Sequence, residues 1–204
     1  MGVGMKQLPL VAAIAAMVLF VAAVAGFGAA LEGYSQARHP VGLLGASGVP
    51  HALAFNVLGF VLPGLLAAFV AWRLRVSMGD NAPWVARIGA WMALLSAIAF
   101  VAQGLLPLDP GDLESDASRA HATAWTLWWV ALLPATLLLA LGLRGESESR
   151  ARVLASIVVA VVVVALAMLP LDLLAPAFAQ RVVFATWLAW TVVAAGGNRK
   201  TGMP

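Results

Sequence analysis

The sequence predicts an all-α membrane protein: one domain, a bundle of six transmembrane helices, with both termini in the cytoplasm. Three observations carry that expectation. The 204 residues are 63% hydrophobic and only 10% charged, with a mean hydropathy of +0.96. A soluble domain is about half apolar and about a quarter charged, so this chain holds more apolar surface than a water-soluble core can hide. Uncharged runs recur along the whole length, each near the length that crosses about 30 Å of hydrocarbon at 1.5 Å per residue. The basic residues are also distributed unevenly between the connections.

The first apolar run, Gln7–Ala30, is longer than the apolar region of a signal peptide, so it reads as a helix. Ala52–Trp72 and Trp84–Leu106 follow, separated by a short basic turn with a tryptophan on either side. His121–Leu143, Arg152–Leu171 and Ala177–Ala195 complete the six. With the amino terminus inside, the inner segments hold Lys6, Arg73, Arg75, Arg87, Arg144, Arg150, Arg152, Arg199 and Lys200. The outer segments hold only Arg38, Arg119 and Arg181, which together make up the 12 basic residues of the chain. Cytoplasmic loops collect Lys and Arg, so this asymmetry places both termini in the cytoplasm of a multi-pass inner (plasma) membrane protein. It also explains the net charge of +3 without nucleic acid as a partner. The chain has no cysteine, which excludes disulfides, zinc–thiolate sites and thiol nucleophiles.

The expected outer connections carry most of the polar chemistry. Glu32–His51 is long, rich in glycine and half apolar, so it reads as a segment folded back on the mouth of the bundle. Leu105–Trp125 is the one strongly acidic run, with Asp109, Asp112, Glu114, Asp116 and then His121. Leu-Pro-Leu-Asp occurs at 106–109 and again at 169–172, each time before another helix. This echo suggests hairpins with an acid where the chain leaves the bilayer and His51, His121 or Arg181 where it returns. The plainer reading is turn and capping chemistry: Asp109-Pro110-Gly111-Asp112 is a turn signal, Ser118 or Asp116 suits a cap, and Asp172 suits a pair with Arg181.

Two further readings stay open. In one, His51, His121, Asp109 and Asp172 converge as catalytic candidates, either around a divalent metal or as an acid–base pair acting on lipid headgroups. No cofactor is evident otherwise. In the other, the mouth binds a lipid, a small apolar ligand or a partner without catalysis. The candidates for that role are His39, Asn56, Gln103, Trp125, Trp128 and Arg181. His121, Trp125 and Trp128 share a helix face; turned outward they form an aromatic belt, turned inward they wall a cavity. Asn56, Gly59 and Pro63 share another face, where amides most often join neighbouring helices. No charge falls mid-membrane, which disfavours an ion pump or proton-coupled carrier.

The outer loop carries Tyr34-Ser35, His39-Pro40, Gly45, Gly48 and Pro50, followed by Asn56, Gly59-Phe60 and Gly64. A later helix ends Leu-Pro-x-Asp-Pro-Gly before an acidic linker and His121. In these features the chain resembles the bacterial and archaeal multi-pass membrane family catalogued as domain of unknown function nine-nine-eight. Leu106 stands where that family often has an aromatic residue. The resemblance covers nearly the whole chain and implies a small helical bundle, with no activity attached.

Overall fold

The computed structural model describes residues 7–79, 81–143, 150–168 and 175–196. These form six helices and no strand: α1 Leu8–Ala30, α2 Ala52–Ser77, α3 Trp84–Leu105, α4 Asp116–Gly142, α5 Arg150–Val163 and α6 Pro176–Gly196. Five of them, all but α5, are long and apolar enough to cross a membrane. The sequence suggests six spans; α5 is described only as far as a π-helical continuation, Val164–Met168, and is the exception.

Local chemistry explains the interruptions. Pro9 sits in the first turn of α1, where its missing N–H costs nothing. Pro63 stands inside α2, and the turn before it, Asn56–Val61, widens to π-helix. A proline cannot donate to the carbonyl one turn earlier and crowds it, and the wider turn absorbs both defects. α4 starts at Asp116, ahead of the expected His121, because the Ser115 side chain accepts from the Ser118 N–H and caps the helix.

Helices in lipid gain little from burying apolar surface, so close packing must hold them together. α3 presents Ala86, Ala90, Ala93 and Ala97 to its neighbours, all buried. Gly89 and Gly142 let α3 and α4 touch backbone to backbone: a Cβ at Gly89 would lie 2.9 Å from Leu139 N, and one at Gly142 would lie 2.6 Å from Ala86 N. The Ser96 hydroxyl donates to the Trp128 carbonyl at 2.9 Å across the same seam. On the other side of α3, a Cβ at Gly64 of α2 would lie 3.0 Å from Val101 N.

The core is aromatic. The Phe100 ring on α3 lies 5.9 Å from Phe20 of α1, 5.2 Å from Phe60 of α2, 6.2 Å from Trp128 of α4, and 5.1 and 4.6 Å from Phe184 and Trp187 of α6. Five helices therefore meet around one side chain. Such tilted and edge-on pairs contribute about 0.5–1.5 kcal/mol each beyond the area they cover. Trp128 is fully buried, so the tryptophan face of α4 turns inward.

Candidate functional site

The end of the bundle that carries the long loop, residues 31–51, gathers the polar side chains. The loop lies over that end with Val41, Leu44 and Ala46 buried. Its short 3-10 turn, Val41–Gly45, is tied to α6 and α2, and the residue after next, Ser47, to the connection that follows α3. Val41 N donates to Gln180 Oε1 at 2.9 Å, Asn56 Nδ2 donates to Gly45 O at 2.9 Å, and Ser47 N donates to Leu108 O at 2.9 Å. Two glycines make the contact possible. A Cβ at Gly45 would overlap the Asn56 amide, and one at Gly42 would lie 2.8 Å from His121 Nε2.

Arg181 fastens the first half of this loop. Its Nε donates to Gln36 Oε1 at 2.9 Å, Nη1 donates to the carbonyls of His39 (3.0 Å) and Ala177 (2.7 Å), and Nη2 donates to the Tyr34 hydroxyl. Gln36 in turn donates to Val24 O at 2.8 Å, and Ser35 N donates to His39 Nδ1 at 2.9 Å. Burial pushes the Tyr34 hydroxyl above its ordinary pKa, and the neighbouring Arg181 charge and hydrogen bond only partly oppose that shift. Arg181 and His39, both ligand candidates from sequence, are thus occupied in holding the loop. Asn56 is occupied in the same way.

Three of the four catalytic candidates, His51, His121 and Asp109, lie among the described residues. His121 sits beneath Gly42, with Nδ1 2.9 Å from Leu106 O and its ring 6.3 Å from that of Phe60. His51 precedes α2 in the left-handed region (φ 61°) with its side chain exposed. No hydrogen bond or ring contact joins it to His121 among the described residues. Asp109 accepts from Gly111 N through Oδ1 at 2.9 Å, closing its own turn. Asp172 lies outside the described residues, as does the second Leu-Pro-Leu-Asp. Among the described residues, no three His, Asp or Glu side chains are grouped to hold a metal ion.

Beside the loop is a cleft of about 430 Å³. Trp125 of α4, Leu166 in the π turn after α5 and Val183 of α6 form its apolar wall, and Arg38, Pro40 and Gln180 form its rim. Trp125 stacks on Trp128 at 5.2 Å and meets Phe184 edge-on at 5.3 Å, so the wall is a direct extension of the aromatic core. Arg38 is exposed, and no described side chain pairs with it. Gln180 uses its carbonyl on the loop, which leaves the amide N–H groups for another acceptor. Deeper in, Gln103 Nε2 and Trp128 Nε1 are buried without a hydrogen-bond partner. Sequence reasoning selects Trp125 but misses Arg38 and Gln180 as rim residues. A helix-phase match with Val183 hints at Gln180; nothing in the sequence singles out Arg38.

Taken together, the apolar helices and this loop-covered end define a multi-pass helical membrane protein. The chain belongs to the family described as Protein of unknown function (DUF998), whose model matches residues 14–197. No curated protein and no solved structure matches it.

Proposed function

We propose that the protein binds a single-chain amphiphile, a lipid or a small apolar molecule with an anionic head, in the cleft between the long loop, α4 and α6. The observation that carries this reading is the composition of the cleft: an aromatic and aliphatic wall with one unpaired guanidinium at the rim. Its volume is within the roughly 300–1,000 Å³ of ordinary small-molecule sites, which combine apolar walls with a few polar groups that orient the ligand. Trp125, Leu166 and Val183 take the apolar body. Arg38 and the Gln180 amide take the head. His121, Asn56, Trp128 and Arg181 support the site by holding the loop and the wall in place. The unequal distribution of Lys and Arg supports an orientation with the cleft on the outer side of the plasma membrane and both termini in the cytoplasm.

Dodecyl phosphate tests the reading, with binding to the purified protein followed by calorimetry. Val183→Trp fills the cleft and abolishes binding. Arg38→Gln weakens it about tenfold, as expected for loss of one charged hydrogen bond. Undiminished binding by V183W would exclude the cleft.

A further inference from the structure

The opposite end of the bundle carries a second polar surface, built from α2 and α3. α2 ends with Trp72-Arg73-Leu74-Arg75, and α3 places Trp84, Arg87 and Trp91 at i, i+3 and i+7, on one face. The two helices share this surface. The Arg75 guanidinium lies 5.9 Å from the Trp91 ring centroid, and that of Arg73 lies 6.0 Å from the ring of Trp72. Trp84 is 68% exposed and Trp91 49% exposed.

Among the described residues these cations have no anion. Among the described residues the one ion pair is Arg119–Glu114, at the long-loop end. None of Arg73, Arg75 and Arg87 has a carboxylate partner among the described residues, and Arg75 Nε is buried without a hydrogen bond. Asp80, in the connecting turn, lies outside the described residues. α3 begins without a side-chain cap and without an acid in its first turn, so its dipole adds to the positive potential. Guanidinium groups match phosphate oxygens in a planar fork, and tryptophans settle at the headgroup level of a bilayer. We propose that Arg75 and Arg87, flanked by Trp84 and Trp91, bind the phosphodiester of an anionic phospholipid in the leaflet that faces this end. The two arginines supply the charge. The rings set the depth of the headgroup and shield one side of Arg75 from water, which strengthens its attraction for phosphate.

Native mass spectrometry of the whole chain, released from detergent with either phosphatidylglycerol or phosphatidylcholine added, tests the proposal. The expected result is selective retention of phosphatidylglycerol, weakened by salt and reduced about tenfold in Arg75→Gln/Arg87→Gln, in line with the loss of two lipid-facing charges. V183W, which blocks the cleft at the other end, leaves this retention unchanged, so the two sites fail independently. If the double variant does not fold, Arg87→Gln alone, outside the cation–π contact, carries the test with an expected loss of about threefold. Equal retention of both lipids, or retention of phosphatidylglycerol unaltered in R87Q, overturns the proposal.

Discussion

Arg181 shows how a residue can look like a ligand contact in sequence and serve as a fastener in the fold. A lone arginine at the start of an apolar helix, with an aspartate nearby, suggests an ion pair or a headgroup contact. In the structure its guanidinium reaches four acceptors, three of them in the long loop. Arg181→Ala removes all four bonds and leaves the Tyr34 hydroxyl only its bonds to the His39 and Pro40 carbonyls, so it destabilises the protein by about 2–4 kcal/mol. Thermal unfolding in detergent measures that loss. Tyr34 offers a cleaner readout, because it is the only tyrosine of the chain. Its pKa is raised by burial, so the phenolate absorbance titrates above the ordinary value of 10. The sign follows from that direction. The neutral hydroxyl is the form the fold favours, so its contribution to stability is complete below pH 10 and is lost as pH rises through the higher folded value. A phenolate titration at or below 10 would contradict the buried clasp.

At the scale of elements, the seam between α3 and α4 depends on two residues without side chains. Gly89→Ala and Gly142→Ala each push a methyl group against backbone atoms of the facing helix, which cannot move aside as a flexible side chain can. Each costs about 1–3 kcal/mol. Gly26→Ala on α1 is the control: nothing lies within 4 Å of its added Cβ, so the change is neutral or slightly stabilising through helix propensity. Equal effects at the three positions, measured by thermal unfolding, would show that the close approach is not limiting. The start of α4 was legible in part. The sequence suggests Ser118 or Asp116 as the cap, whereas Ser115 takes that place, and an apolar-run criterion begins the helix only at His121, because hydropathy cannot see a polar first turn.

For the whole molecule, the arrangement makes a prediction about sidedness. The long loop and the 106–115 connection lie at one end, joined by the Ser47–Leu108 hydrogen bond, while the α2–α3 turn lies at the other. The chain has no native cysteine, so single cysteines report cleanly. Ser35→Cys and Ser115→Cys react with an impermeant thiol reagent from one side of the membrane, and Ser77→Cys reacts only from the other. With the orientation proposed above, the first two label from outside. Labelling of Ser115→Cys from the cytoplasmic side would reverse the orientation and leave the fold intact.

Hydropathy and charge placement are local properties of a chain, so the sequence alone determined the class of protein, the approximate helices and the family resemblance. It also picked out Arg181 and Trp125 at the long-loop end, but not Arg38 or Gln180. It could not determine what those residues do, because that depends on distances between helices far apart in sequence. Trp125 and Trp128 share a helix face whether that face meets lipid or core, and only the packing of Phe100, Phe184 and Trp187 against it turns it inward. His51 and His121 are equivalent as letters. The tertiary structure exposes one and sets the other beneath Gly42, because the loop descends onto α4 only where a glycine gives it room.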